Sequence, residues 1–304
     1  MSNSLAMSTS WNAKRHVGAK GVVEEILGLG ISRLEAGYSM KAEQLPELAE
    51  LLPQNRVQVC SVHNFCPTPS THKCSWGDDF LLSSLDKEQR ESGVQATLET
   101  IAWAKRLGAK VIVMHLGQVP IDKTPYKMIE KMIASGEVDC RVLEASRSEV
   151  RKERARLAEP HLDAVRKSLD AIVARLPRGI VLGLETRSYH QIPTLRETQE
   201  LLTEYGDAVG YWHDIGHAHG QERMGFYEKG EYLKTLGDRL IGLHIHDSLK
   251  LSDHHAPGFG EIDFESLKPY LKNGVLPILE IHPRVPRAEV VQGIEFLRTR
   301  NILP

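Results

Sequence analysis

The densest chemistry in the chain lies in residues 211–220, YWHDIGHAHG, where Trp212, His213, Asp214, His217 and His219 fall within eight positions. Asp214 and His217 are both good ligands for a divalent cation. Gly216 between them would let the backbone turn so that both side chains reach one site. The apolar start at Ala208, Val209 and Gly210, and the polar run that follows, read as a strand end entering a loop. A single Asp-x-x-His is more often a surface loop than a metal site, so the rest of the chain has to decide.

The elements that would position these residues repeat one design. Short apolar runs at 5–10, 31–38, 57–64, 110–117, 180–187, 209–213, 240–247 and 276–283 read as strands. Helical patterns alternate with them, including 14–28, 45–52, a stretch ending at Gly108, 195–205, 232–236, 264–271 and 288–299. Strand then helix, eight times, predicts a parallel (β/α)8 barrel, an α/β fold of one domain over 1–304. Residues 120–158 are charged, helical in pattern and longer than a connection needs, so they read as an insertion after the fourth strand. A separate amphipathic stripe follows, from Leu162 to Leu176, broken by Pro177 and Gly179.

Alternate side chains of a barrel strand point inward. On that parity Cys60, Val62, Ile112, Met114, Leu182, Leu184, Ile241, Leu243, Ile245, Leu279 and Ile281 face the helices. Six successive strands, the third to the eighth, then end in an inward acid or imidazole: His63, His115, Glu185, Asp214, His244 and Glu280. Barrel enzymes build their sites at this C-terminal mouth. Carboxylates crowded there repel one another and are costly to desolvate, and a bound cation removes that cost. The six together predict a metal site.

The chain resembles the xylose isomerase-like barrel superfamily, which includes sugar isomerases and epimerases, inosose dehydratase and the endonuclease IV group. The resemblance rests on Glu185 in LET, Asp214 and His217 in DIGH, His244 in HIHD, the HHAPGFGEID segment and Glu280 in LEIHP. It implies that Glu185, Asp214, His244 and Glu280 hold one divalent ion and that Glu185 and Glu280 move protons on the substrate. It further implies His63, His115, His217 and His254 as ligands for additional zinc ions. The chain departs from the pattern at Ser252, where an acid is expected two residues before His254; the acid stands next door at Asp253. The expected cofactor is manganese or zinc, one to three ions.

Softer candidates surround these. Arg187 and His190 follow the fifth strand, and Arg187 could clamp a phosphate or carboxylate. His246 lies one inward step beyond His244 and could touch substrate. Trp212 could wall the pocket or fill the barrel. His213 points outward and reads as structural. The glycine-rich stretch 257–263 could turn backbone N–H groups toward an anion, or could be a plain turn.

Composition narrows the function. Hydrophobic residues at 41% and charged residues at 26% describe a soluble globular chain. A formal net charge of −2 gives no field for a polyanion, so nucleic acid is not expected as a partner. No apolar run approaches a membrane span, and the first residues carry no secretion signal. Cys60, Cys66, Cys74 and Cys140 form no CxxC pair, which reads as reduced thiols in a cytoplasmic protein. A zinc site of Cys66, His72 and Cys74 is the weaker alternative. A homo-oligomer is compatible with the sequence. The expected activity is metal-dependent isomerisation or epimerisation of a small sugar, polyol or sugar phosphate. The alternatives are a multinuclear zinc phosphoesterase and a barrel that only binds its ligand.

Overall fold

The computed structural model describes residues 5–55, 57–68, 82–272 and 274–303. Eight parallel strands close into a barrel in chain order: β1 Ala6–Ser8, β2 Arg33–Ala36, β3 Gln58–His63, β4 Val111–Met114, β5 Val181–Glu185, β6 Val209–Asp214, β7 Leu240–Ile245 and β8 Leu276–Leu279. Closure is made where Ala6 and Met7 pair with Ile278 and Leu279. The expected (β/α)8 architecture is therefore the observed one. His72 and Cys74 of the weaker zinc reading lie outside the described residues; Cys66 is buried. Among the described residues no helix is long and apolar enough to cross a membrane.

The helices form the outer layer: α1 Ala19–Leu27, α2 Gln44–Asn55, α3 Lys87–Leu107, α4 Thr124–Ser135, α5 Cys140–Val173, α6 Leu195–Tyr205, α7 Ile215–Arg223, α8 Glu231–Leu236 and α9 Arg287–Thr299. Local chemistry sets their ends. Asp86 caps α3 through its side chain and left-handed Gly108 closes it, while Thr194 and Glu197 make a capping box on α6. The first helix is shorter than the expected 14–28, because a 3-10 turn, Ala13–Arg15, takes up its start.

The insertion after β4 does not end at 158. Beyond α4, one helix of 34 residues, α5, carries both the inserted stretch and the amphipathic stripe that packs on the barrel. Buried Arg154 on α5 donates twice to Glu197, at 2.8 Å each, and once to the Gln191 carbonyl at 2.9 Å. Those bonds tie the inserted half to the loop after β5.

Two register shifts change the inward set. Between β2 and β3, Leu34 pairs with Val59 but Glu35 pairs with Ser61. The extra residue, Cys60, turns into the barrel beside Ala6, Val111, Val113, Trp212 and Ile278. Between β6 and β7, Tyr211 pairs with Leu240 but Trp212 pairs with Gly242. The skipped residue, Ile241, packs against the same interior cluster. Both residues were expected to face the helices, and strict alternation fails where a bulge adds one residue.

Trp212 fills the middle of this interior layer and is fully buried. Gly242 makes room for it, since a Cβ there would overlap the indole ring, whereas a Cβ on Gly183 would stand 3.1 Å from Trp212 Cε3. Gly242→Ala should therefore destabilise the protein by about 1–3 kcal/mol through overpacking, and Gly183→Ala by less. Denaturant unfolding of the two variants checks the order.

Candidate metal centre

The strand ends converge on His244, the last inward residue of β7. Its Nδ1 lies 3.1 Å from Glu185 Oε1, 3.0 Å from Glu280 Oε2 and 3.6 Å from Asp214 Oδ2. Its Nε2 points the other way, 3.2 Å from Glu35 Oε1. On the β3–β4 side, His115 Nε2 and His63 Nε2 approach Glu185 Oε2 at 2.6 and 3.4 Å. On the β6 side, His217 Nδ1 is 3.5 Å from both Glu185 Oε1 and Asp214 Oδ1.

Among the described residues the donor atoms gather into three groups, each within 4.8 Å. They are His63, His115 and Glu185; Glu185, Asp214, His244 and Glu280; and Asp214, His217 and His254. Glu185 and Asp214 are the shared bridges. All eight expected ligands are thus brought together. The donor set suits a divalent cation: convergent imidazole nitrogens and carboxylates. The tautomers suit it as well. His63 Nδ1 donates to the Asn64 carbonyl at 2.9 Å and His254 Nδ1 to the Glu280 carbonyl at 3.1 Å, leaving each Nε2 as an acceptor. His217 Nδ1 is buried and makes no hydrogen bond among the described residues. An ion would give that nitrogen its partner. Asp253 Oδ2 stands 3.9 Å from His217 Nε2, so the displaced acid still faces the third group.

The motif at 211–220 is not a strand running into a loop. Asp214 ends β6 and caps α7 directly, its Oδ1 accepting the His217 N–H at 2.8 Å. Gly216 serves close packing more than turning, because a Cβ there would run into the His246 ring and stand 3.1 Å from Asp253 Cβ. His246 does not open onto a pocket: fully buried, its Nε2 lies 3.0 Å from Asp214 Oδ1. The His254 N–H donates to His246 Nδ1 at 2.8 Å, which puts the ring hydrogen on Nε2, facing Asp214. His254 is held at φ +57°, a left-handed conformation uncommon for histidine, with its ring stacked 4.1 Å from that of His246.

A family profile described as xylose isomerase-like TIM barrel matches residues 23–300. The chain belongs to that family. Solved structures share the fold of this xylose isomerase-like barrel at low identity. A D-tagatose 3-epimerase-like protein superposes with a TM-score of 0.64 at 20% identity, covering 97% of this chain and 96% of its own. The 3-keto-D-glucoside 4-epimerase YcjR of E. coli gives 0.63 at 16%, covering 97% and 98%. The IolI protein with a bound zinc atom gives 0.62 at 15%, covering 98% and 97%. No curated protein matches the chain in sequence.

The remaining candidates of this family member divide. Arg187 Nη1 lies 3.5 Å from His115 Nδ1, at the edge of the cluster. His190 is buried, its ring edge-on to Tyr126 of α4. Trp212 lies under the site, edge-on to His244 at 5.2 Å between ring centres. His213 faces outward as expected and accepts from or donates to the Tyr211 hydroxyl at 2.6 Å. It lines a separate cavity of about 450 Å³ with Ile215, Ala218, His219, Leu233 and Tyr270, behind the barrel wall. The glycine-rich stretch 257–263 does meet an anion, but the anion is the protein's own Asp247. That carboxylate accepts from Ser248, Gly258 and Ile262 N–H groups at 2.9, 2.8 and 3.1 Å. Sequence reasoning passed over Asp247, Glu35 and Tyr38, whose ring meets His63 edge-on at 5.4 Å. The available signal for Glu35 was a lone acid between Leu34 and Ala36 in an otherwise apolar strand end.

The charges of the cluster are mutually compensated. Burial alone would raise Glu185, Asp214 and Glu280, but the histidines around them outweigh it and hold all three below the ordinary carboxylate range. His115 and His213 go the other way: burial pushes each down to about 4 from 6.5. A group with a lowered folded pKa stabilises the fold above its unfolded value and loses that contribution as pH falls. His63 and His244 are raised, so their contribution is lost only as pH climbs through their folded values. The thermal midpoint of metal-stripped protein should fall as pH drops from 6.5 to about 4, the unfolded and folded values of those two buried rings, and His213→Asn should shrink the fall. A midpoint flat across that range contradicts neutral buried rings.

Proposed function

We propose that this barrel is a divalent-metal-dependent isomerase or epimerase of a small sugar, polyol or sugar phosphate. The observation that carries the reading is the placement of Glu185 and Glu280. Their Oε1 and Oε2 atoms flank His244 Nδ1 at 3.1 and 3.0 Å, with Asp214 closing the group. A divalent ion held by these four would supply positive charge to a carbonyl and hydroxyl pair of the substrate. The two carboxylates, kept ionised by the surrounding imidazoles, are suited to take a proton from carbon. Proton removal by one and return by the other on the opposite face inverts that carbon. Return by the same group to the neighbouring carbon isomerises the substrate. Arg187, its Nη1 3.5 Å from His115 Nδ1, would hold a phosphate or carboxylate of the substrate. The epimerases among the solved structures of this fold, an L-ribulose 3-epimerase included, support a sugar-like substrate.

Metal should accordingly be essential. Protein purified without chelator should carry at least about one equivalent of divalent transition metal per chain. Substrate incubated in D2O, drawn from keto-sugars, their phosphates and inososes, should gain deuterium at the inverted carbon. Glu280→Gln should abolish the gain by at least about 100-fold while the fold survives. Turnover without deuterium would point to hydride shift, so product is followed alongside.

The two flanking groups favour a second reading, a multinuclear zinc phosphoesterase, because a single-ion site does not need His63, His115, His217 or His254. Stoichiometry separates the two. If the flanking groups hold ions, wild-type protein carries more than one per chain and His115→Ala lowers the content but leaves one bound. One ion in both forms, with phosphate-ester cleavage absent, leaves the isomerase reading standing alone. Metal-dependent ester cleavage without isomerisation or exchange would replace it.

A further inference from the structure

We propose that Glu35 is a positioning residue that fixes His244 in the one tautomer and orientation able to bind metal through Nδ1. Glu35 is the last but one residue of β2 and is fully buried. Its Oε1 and Oε2 lie 3.2 and 3.4 Å from His244 Nε2. The Ser61 hydroxyl donates to Oε2 at 2.8 Å and holds the carboxylate toward the ring. Glu35 is not among the residues whose donor atoms converge in the three groups, and it stands on the far side of the imidazole.

The chemistry assigns the proton. A carboxylate can only accept, so once a cation takes the place of a hydrogen at Nδ1 the remaining ring hydrogen sits on His244 Nε2 and faces Glu35. The Nδ1 lone pair then points at Glu185, Glu280 and Asp214, where a cation would sit. The ring plane is held between His63, stacked at 5.7 Å and 9°, and Trp212, edge-on at 5.2 Å. Flipping the ring would aim carbon at both partners and leave a buried carboxylate without its donor, which is costly. A carboxylate behind a ligating imidazole also raises its basicity and its hold on the ion.

This inference rests on the metal-binding reading, though not on which reaction the site performs. The test measures dissociation constants for Mn2+ and Zn2+ on the full-length, metal-stripped chain by competition with a chromophoric chelator. Melting of the same metal-free samples is followed in parallel. E35M fills the space but offers Nε2–H no strong acceptor, and should weaken binding by about 100-fold. E35Q keeps a neutral acceptor and should fall between, at about tenfold. The metal-free melts should stay close to wild type. E35Q decides the matter should E35M fail to fold. Wild-type affinity in E35Q overturns the proposal, and so does a loss of affinity matched by a loss of the metal-free fold, which would place Glu35 in the core alone. Absence of binding by wild type would remove the metal reading itself, and this proposal with it.

Discussion

The structure depends on a balance of charge in a dry space. Glu35, Glu185, Asp214 and Glu280 surround one imidazole, His244, and all five side chains are buried. Isolated buried carboxylates would be neutralised or would unfold the barrel mouth. Here each finds an imidazole at hydrogen-bonding or ion-pair distance. The same pairing turns the donor atoms of Glu185, Asp214, His244 and Glu280 toward one another.

A layer of packed and hydrogen-bonded side chains surrounds that cluster. Trp212 supports His244 from below, with Gly242 and Gly183 giving the indole its space. His246 holds Asp214 and is itself fixed by the His254 N–H. Asp247 gathers the glycine-rich stretch through backbone donors, and a Cβ at Gly260 would overlap that carboxylate. The strained backbone of His254 is tolerated inside this tightly bonded segment, where its carbonyl accepts from the His282 N–H. The side chains that hold the candidate ligands therefore come from neighbouring strands as well as from the candidates' own loops.

Function follows from the asymmetry of the cluster. The Glu185, Asp214, His244 and Glu280 group is wholly buried, whereas the side groups bring His115, His217 and His254, which are partly open. Arg187 stands at the same edge, its Nη1 3.5 Å from His115 Nδ1.

The sequence by itself determined the barrel, because strand-then-helix repetition and two-residue parity are local properties of the chain. Parity alone placed His63, His115, Glu185, Asp214, His244 and Glu280 inward at the strand ends, and family motifs added His217 and His254. Parity misplaced Cys60 and Ile241, since a bulge is a mismatch between two strands and neither strand records it alone. The role of Glu35 was equally out of reach: its partner His244 lies 209 residues away and meets it only across the closed barrel. The same holds for Gly216, whose neighbours are His246 and Asp253, and for the glycine-rich stretch, whose anion is Asp247. Side-chain direction is written residue by residue along a strand. What each side chain meets is decided only when strands close around a common axis and bring their ends to one mouth.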